Sequence, residues 1–367
     1  MKKLTAIIAL LLVAALMLPS CSTVNTGSAV MEYEGTKMGE KLYSFWVARY
    51  KRNILNYYSD VENTDTYWDS EYTDGMTVGE YFTGVIDNQI KNILIAQKLF
   101  KEYGLELSDS AVQAIDDDIN EKIEYAGSRA ALNSELAKIG INIDILKEAY
   151  LWEARHDAVY NYLFGTGGKL ETTSAQLESY YKEYYSRIHY IVLYTTKLVT
   201  DSDGNLKYDT NGNVMTEDMT EEEKAAVLSL ADRLTEEAKS TDNFLEMVEE
   251  YSDYNYLEAY ANGLFISHNE VSSYGYDIVG EVQKAKPGEV VRIDDDYAVY
   301  IIREFELTDF NSLGDADLSQ ISQIESYCAE DLYRRHFEAL AENVTVNSEI
   351  YQLYDFEKLP PSPSSKY

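Results

Sequence analysis

The sequence contains very little cysteine, since Cys21 and Cys328 are the only two among its 367 residues. We assign Cys21 to the N-terminal signal described below, and the one remaining thiol cannot form an internal disulfide. The fold must therefore be stabilised by its hydrophobic core. With 45% hydrophobic residues, a chain of this length can build two domains of ordinary size.

Basic residues are also scarce, because 31 Lys and Arg stand against 64 Asp and Glu and give a net charge of −33. This balance argues against nucleic acids and against anionic lipid headgroups as direct partners. Tyrosine, in contrast, is abundant at 33 residues. Its large apolar face and single polar tip suit surfaces that contact many peptide partners, although a compositional bias would give the same count.

Apolar runs long enough to span a bilayer are absent beyond the N-terminus. Two lysines precede an apolar run over Leu4–Leu18, and Pro19-Ser20-Cys21 follows it. This layout predicts a signal peptide at residues 1–20 that ends at a lipoprotein cleavage site. We expect lipidation of Cys21, with residues 21–28 as a tether that anchors the protein to the outer surface of the membrane. The alternative is an uncleaved anchor with an incidental cysteine.

Apolar residues then recur at three- and four-residue spacing, which predicts a helical module over residues 29–184. The polar stretch from Asn63 to Gly75 is predicted to be a loop, and Asp144 is predicted to cap the last long helix. His156 lies on the apolar face of that helix, where a histidine is more often a satisfied core or interface residue than a ligand. The apolar positions that define the helical faces are Phe82, Ile86, Ile90, Ile93 and Phe100; Ile115, Ile119 and Ile123; Leu132, Leu136 and Ile139; and Ile145, Ala149, Trp152, Val159 and Leu163.

The pattern changes at about residue 185 to short apolar strands mixed with helices. Its order of strand, helix, helix, strand, helix, strand and strand predicts a compact α+β domain over residues 185–307.

A helical segment over residues 308–358 is expected to follow and to complete the helical module. Residues 359–367, rich in proline and serine, are predicted to be disordered. The face of the C-terminal helix is predicted to contain Leu318, Ile321, Ile324 and Cys328.

The insertion after the first strand of this domain contains Asp201-Ser202-Asp203-Gly204-Asn205 and a second acidic turn over residues 209–213. Such turns suggest calcium binding, but their spacing does not fit an EF-hand loop. Asp-Gly and Asn-Gly turns around Leu206-Lys207-Tyr208 favour a hairpin instead. We therefore predict no metal site.

Several short motifs resemble those of one known family. They are Ile188-His189-Tyr190-Ile191-Val192, residues 244–252, Gly263-Leu264-Phe265, residues 286–290, and Tyr300-Ile301-Ile302-Arg303. In this order and spacing they resemble a parvulin-type peptidyl-prolyl isomerase domain, which is a small antiparallel sheet flanked by helices. The whole chain is similar in layout to the extracytoplasmic foldases of the SurA and PrsA kind, which combine a signal, a helical chaperone module and a parvulin domain.

The resemblance implies rotation about an X-Pro peptide bond. Without catalysis this rotation crosses a barrier of about 18–20 kcal/mol and takes tens of seconds. A pocket that binds the twisted bond better than the planar one lowers the barrier, so no cofactor, metal or covalent nucleophile is required. Family members build this pocket from two facing histidines, a nearby Cys or Asp, and a Met and a Phe that hold the proline ring.

Carried over to this chain, the catalytic positions are His189, Tyr300 and Tyr254, with Asp253 as an alternative to Tyr254. Tyr300 stands where the family has its second histidine. It could donate a hydrogen bond to His189 across the sheet, but it cannot replace an imidazole.

The positions that would contact substrate are Phe265, Tyr274 and Ile278, with Glu270 as an alternative. The insertion is acidic where phosphate-directed relatives are basic, so phosphopeptide binding is not expected.

These features favour a membrane-anchored extracytoplasmic foldase or holdase that binds unfolded or nascent secreted polypeptides and has a degenerate parvulin-like active site. One alternative is an active peptidyl-prolyl isomerase. Another is a solute-binding lipoprotein, although such proteins usually have two α/β lobes and the long helical first half of this chain differs from that plan.

Overall fold

The computed structural model describes residues 24–58, 61–73, 75–203, 205–210, 212, 214–269, 276–354 and 356–366, with only the backbone of residues 276 and 277. The predicted signal peptide, the predicted lipidation site Cys21 and the predicted substrate contact Tyr274 lie outside these ranges. Within them, no helix is both long and apolar enough to cross a bilayer.

The described chain contains both helices and strands. The helices are α1 (Glu40–Tyr57), α2 (Asp65–Trp68), α3 (Val78–Glu102), α4 (Asp109–Ala126), α5 (Arg129–Leu136), α6 (Ile143–Phe164), α7 (Ser174–Tyr184), α8 (Glu221–Ala238), α9 (Phe244–Tyr251), α10 (Tyr276–Val282), α11 (Asp315–Gln320), α12 (Ile324–Ala341) and α13 (Ser348–Tyr351). The strands are β1 (Ala29–Tyr33), β2 (Thr36–Gly39), β3 (Glu71–Thr73), β4 (Met76–Thr77), β5 (Tyr185–Tyr194), β6 (Thr196–Leu198), β7 (Thr216–Asp218), β8 (Leu264–Ser267), β9 (Val290–Asp294), β10 (Ala298–Phe305) and β11 (Thr345–Val346).

The chain forms two compact units. The first contains the chain up to Glu171 together with the chain from Asp331 onward, and the second is Thr172–Glu330. Helices dominate the first unit, which also contains a three-stranded sheet in the order β11-β1-β2, whereas the second surrounds a four-stranded antiparallel sheet with helices. The predicted α+β class is thereby confirmed.

The first unit is organised around α3, which begins with a capping box. Thr77 Oγ1 accepts a hydrogen bond from the backbone N–H of Glu80 at 3.1 Å, and Glu80 Oε2 accepts one from the N–H of Thr77 at 2.9 Å. The predicted apolar face follows, and Ile86, Ile90 and Ile93 are buried in the core. Each such side chain contributes about 1.5–3 kcal/mol to stability relative to leaving it exposed.

The C-terminal part of α12 completes this first core, as expected from the sequence. Phe337 is fully buried in it. His156 on α6 also contributes, because its Nε2 and the hydroxyl of Tyr333 form a hydrogen bond of 2.7 Å. This contact agrees with the prediction that His156 is a hydrogen-bonded core or interface residue.

Two local predictions for the first unit were wrong. The described residues of the stretch 63–75 are structured, because Thr64 caps α2 and strands β3 and β4 pair with each other. The cap of α6 is Asn142, whose Oδ1 accepts from the N–H of Ile145 at 3.0 Å, while Asp144 lies in the first turn. Propensity alone does not distinguish a cap from a first-turn acid, because both positions favour aspartate.

The ends of the first unit are also more ordered than predicted. In the predicted tether, the carbonyl of Thr26 accepts a hydrogen bond of 3.0 Å from the backbone N–H of Lys41 in α1. At the other end Lys51 is fully buried, and the N–H of Ser362 donates to the carbonyl of Ala48 at 2.8 Å. The Lys51 ammonium donates three hydrogen bonds of 2.9–3.0 Å to the carbonyls of Phe356, Glu357 and Leu359.

The prediction of disorder was therefore wrong for residues 359–366. Composition does not reveal that backbone carbonyls of a polar tail can satisfy a buried ammonium group, which must be hydrogen bonded if it is removed from water.

The second unit follows the predicted order of elements, and its sheet has the strand order β8-β5-β10-β9. Helix α7, which was predicted to belong to the helical module, is part of this unit. Its Tyr181 is buried against Phe265 of β8, with ring centroids 6.1 Å apart. The hydroxyl of Tyr180 accepts a hydrogen bond from Asn269 at 2.6 Å.

Two further segments complete the second unit. The insertion forms the β6-β7 pair and two isolated bridges, as the predicted hairpin required. After β10 the predicted single helix is divided into α11 and α12. Leu318 is 43% exposed, unlike Ile321, Ile324 and Cys328, so it does not belong to the buried face predicted for it.

Candidate functional site

The pairing of β5 with β10 decides which predicted site residues can meet. His189 lies opposite Arg303, whereas Tyr300 lies opposite Val192. Side chains alternate between the two faces of a sheet, and directly opposite residues share a face. His189 and Tyr300 therefore project from opposite faces of the sheet. The predicted hydrogen bond between them is excluded by this register.

His189 is enclosed on its own face of the sheet and is 2% exposed. Its Nδ1 lies 3.4 Å from the hydroxyl of Tyr256, and its ring meets the edge of Phe305 at a centroid distance of 5.1 Å. Burial, followed by the charge of Arg187, lowers the pKa of His189 to about 4. The imidazole is therefore neutral at physiological pH, and its Nδ1 faces the hydroxyl of Tyr256.

The backbone of Gly263 closes the other side of the imidazole. A Cβ at this position would lie 2.9 Å from His189 Nε2 and 2.7 Å from the carbonyl oxygen of Ile188. Its φ of +99° lies in a region that side chains rarely adopt. Glycine is thus required both by backbone conformation and by the close approach to His189.

Tyr256 contacts His189, and the sequence motifs did not predict this contact. The residue predicted near the histidine, Tyr254, is 51% exposed, whereas Tyr256 is 2% exposed. The signal for Tyr256 was its position two residues after Tyr254 in an alternating aromatic stretch. The motif alone does not tell which of the two tyrosines is buried.

The opposite face of the sheet presents three half-buried tyrosines, Tyr190, Tyr194 and Tyr300. The rings of Tyr190 and Tyr300 are 6.2 Å apart and tilted by 59°. Ile278 and Val279 of α10 belong to the apolar cluster on this same face. We name Tyr190, Tyr194, Tyr300 and Ile278 the aromatic face.

Tyr256 also holds the aromatic face in place. Its hydroxyl accepts a hydrogen bond from the backbone N–H of Tyr190 at 2.6 Å and donates one to the carbonyl of Tyr190 at 3.1 Å. The two rings stack with centroids 4.4 Å apart and an interplanar angle of 14°. The backbone and the ring of Tyr190 are therefore both oriented by one side chain.

The electrostatic setting keeps the tyrosine hydroxyls protonated. Burial, followed by the charge of Asp295, raises the pKa of Tyr300. Burial, followed by the charge of Asp253, raises the pKa of Tyr194. The aromatic face thus offers apolar rings and neutral hydroxyls, which can donate or accept hydrogen bonds at the edge of a bound chain.

The predicted site residues consequently do not form one pocket. His189 and Phe265 belong to one face of the sheet, and Phe265 is buried against α7. Tyr300 and Ile278 belong to the other face. The aromatic face can bind apolar groups by direct contact. Such binding requires neither a covalent step nor a charged catalytic group.

No family model matches the sequence, and no curated protein matches it. Among solved structures, PrsA from Bacillus subtilis is similar at 17% identity, covering 80% of this chain and 90% of that one, with a TM-score of 0.22.

Two further solved foldases show the same likeness. The foldase protein PrsA from Streptococcus pneumoniae is similar at 16% identity over 77% of this chain and 97% of that one, with a TM-score of 0.24. The foldase protein PrsA from Lactococcus lactis is similar at 13% identity over 89% of this chain and 99% of that one, also with a TM-score of 0.24. All three of these solved structures are of PrsA proteins.

Proposed function

We propose that the protein is an extracytoplasmic foldase or holdase that binds unfolded secreted polypeptides and is anchored to the membrane through lipidated Cys21. The observation that carries the proposal is the division of the parvulin-like sheet into a buried histidine side and a half-buried aromatic face. The aromatic face suits sequence-tolerant contact with apolar and proline-containing segments, since rings contribute large contact areas at small entropic cost.

The same observation supports a degenerate isomerase site. His189 is neutral, enclosed and turned away from Tyr300, so the two cannot act together on one peptide bond. Polypeptide binding requires none of these catalytic features. The solute-binding alternative finds no support, since the first unit is mainly helical and is not an α/β lobe.

Two assays with the purified protein test the proposal. The first measures suppression of aggregation of a chemically unfolded protein, and the second measures the rate of a proline-limited refolding reaction. We expect suppression of aggregation by the wild type and its weakening in Tyr300→Ser. The exposed Tyr297, which is 61% accessible on the turn before β10, provides the matched control Tyr297→Ser, which should behave as wild type.

The refolding assay separates the two functions. We expect the refolding rate to stay within about twofold of the uncatalysed rate, which takes tens of seconds. An acceleration that Tyr300→Ser abolishes would establish the active isomerase instead. Anchoring is tested by incorporation of labelled fatty acid, which should require Cys21 and be absent in Cys21→Ser.

A further inference from the structure

Aromatic side chains gather on the surface of the first unit, around the C-terminal end of α1 and the N-terminal end of α3. Tyr57 is 81% exposed, Tyr72 is 50% exposed and Tyr58 is 45% exposed. Tyr81 and Phe82 of α3 are half-buried beside them. We name these five residues the tyrosine patch.

Ring contacts make the tyrosine patch continuous. Tyr57 meets Tyr58 edge-on at 4.9 Å, and Tyr58 meets Phe82 at 6.3 Å. Phe82 contacts Tyr81 at 5.2 Å, and Tyr81 stacks on Tyr72 at 4.2 Å with an interplanar angle of 22°. The exposed rings are thus already ordered by their neighbours, which lowers the entropy that a partner must offset on binding.

The stretch of sequence that contains the patch carries charges of one sign. Residues 53–90 contain no Lys, Arg or His, but they contain eight acidic residues: Asp60, Glu62, Asp65, Asp69, Glu71, Asp74, Glu80 and Asp87. Glu80, which belongs to the capping box of α3, is exposed, and so are four further carboxylates, on Glu62, Asp65, Asp69 and Glu71. Within the described chain none of the four forms a salt bridge, so their charges are available to a partner.

The first unit already places cations against its aromatic rings. The ammonium of Lys51 lies 5.2 Å from the ring of Trp68. That of Lys169 lies 5.1 Å from the ring of Tyr103 and 4.8 Å from the ring of Tyr162. The tyrosine patch combines such rings with unpaired carboxylates, and both attract a cationic group.

We propose that the tyrosine patch is a second polypeptide-binding surface, selective for extended segments that carry Lys or Arg together with aromatic or aliphatic residues. Apolar side chains of the segment cover the exposed rings, and its cations are bound by the ring faces and by the surrounding carboxylates. The inference goes beyond the proposed function, because it concerns the helical unit and adds a preference for cationic segments that the proposed function does not include.

The test measures binding of fluorescent peptides to the full chain by anisotropy. The probe is an unstructured twelve-residue peptide with three Lys and three Phe, compared with versions in which Glu replaces Lys or Ser replaces Phe. We expect the Lys-Phe peptide to bind about tenfold more tightly than either relative, a difference of about 1.4 kcal/mol. Added salt should weaken its binding, because exposed charges are screened.

Two variants and one control assign the binding to the patch. Tyr57→Ser with Tyr72→Ser should weaken binding of the Lys-Phe peptide about tenfold, as expected for removal of exposed aromatic anchors. Asp69→Asn with Glu71→Gln should abolish most of the preference for Lys over Glu. The control is Tyr208→Ser with Tyr297→Ser, which removes two rings of 58% and 61% exposure from the second unit and should leave binding unchanged.

Several outcomes would overturn the inference. Equal affinity for the Lys and Glu peptides would disprove the charge preference. An equal loss of affinity in the Tyr208→Ser, Tyr297→Ser control would disprove that the peptide binds at the patch. Binding to neutral phosphatidylcholine vesicles that the patch variant abolishes would assign the surface to lipid. A concentration-dependent dimer that the patch variant dissociates would assign it to a second copy of the chain. Tyr300→Ser should not affect peptide binding at the patch, so failure of this inference and failure of the proposed function remain distinguishable.

Discussion

One hydroxyl group, that of Tyr256, binds both the backbone N–H and the carbonyl of Tyr190 and also faces Nδ1 of His189. Tyr190 belongs to the aromatic face and His189 to the opposite side of the sheet. Tyr256 therefore connects the buried histidine with the surface proposed to bind polypeptide. We therefore expect changes at Tyr256 to affect polypeptide binding through Tyr190.

Replacement of Tyr256 by Phe tests this connection. The ring remains, but two hydrogen bonds to Tyr190 are lost and buried groups become unpaired, which should cost about 1–3 kcal/mol of unfolding free energy. We expect faster amide hydrogen exchange at Tyr190 and weaker suppression of aggregation. Tyr254→Phe removes a hydroxyl from the exposed neighbour and serves as the control. Unchanged exchange at Tyr190 in Tyr256→Phe would contradict the connection.

Gly263→Ala should destabilise the second unit strongly. The new Cβ would approach His189 Nε2 and the Ile188 carbonyl below normal contact distance, at a backbone φ of +99°. Strain and overpacking together should cost about 3 kcal/mol.

The matched control is Gly288→Ala. Gly288 has a similar φ of +91°, but its Cβ would meet nothing within 4 Å, so we expect only the backbone cost of about 1–2 kcal/mol. Hydrogen exchange of β5 amides measures both variants. Equal losses of stability in the two variants would show that contact with His189 does not contribute to the effect of Gly263→Ala.

The stability of the second unit should depend on the ionisation of His189. Its pKa is lowered to about 4 in the folded protein, against about 6.5 in an unfolded chain. Between these values the unfolded state binds a proton that the folded state does not, so stability rises with pH. The contribution of His189 to the free energy of unfolding is therefore highest above about pH 6.5. It decreases as the pH falls towards 4, by about 3 kcal/mol in total.

NMR of the imidazole ring measures this pKa directly, and only four histidines are present. In His189→Gln the difference in β5 hydrogen exchange between pH 4.5 and pH 7 should become smaller than in wild type. A ring that titrates near pH 6.5 would contradict the enclosed, neutral histidine.

Lys51→Met should release the C-terminal residues from the first unit. The variant leaves three carbonyl groups of residues 356–359 without their buried donor, which should cost about 3 kcal/mol. All three tryptophans, Trp46, Trp68 and Trp152, belong to the first unit, so denaturant unfolding followed by tryptophan fluorescence reports on it.

Hydrogen exchange of Ser362, whose N–H binds Ala48, reports on the tail itself. Lys37→Met, at an exposed position in an ion pair with Glu32, should change stability by less than about 1 kcal/mol. Slow exchange of Ser362 in Lys51→Met would show that the tail is held without the lysine.

Local sequence patterns predicted most of the elements. The apolar spacing of Ile86, Ile90 and Ile93 indicated α3, and Gly140 indicated a helix end that the structure shows with a left-handed φ of +77°. Such patterns succeed because helical periodicity and turn conformation depend on residues within a few positions of each other. The same local rules could not identify Asn142 as the cap of α6, since neighbouring polar residues compete for that position.

The candidate site was less predictable, because its geometry depends on strand register. Motif order correctly assigned His189 and Tyr300 to adjacent strands, but adjacency does not determine the face. A shift of one residue in pairing would exchange every side chain between the two faces. Tyr256 was missed for a related reason, since its burial depends on how the chain after α9 returns to the edge of β5.

The sequence by itself determined the α+β class, the order of strands and helices in the second unit, and the resemblance to PrsA-type foldases. Only the tertiary structure decided that His189 faces Arg303 and Tyr256, that Tyr300 belongs to the opposite face, and that Lys51 binds the C-terminal carbonyls. Arg303 and His189, like Lys51 and Phe356, are more than a hundred positions apart, and His189 and Tyr256 are 67 apart. Contacts of that range arise from packing of the whole chain, which local periodicity does not encode.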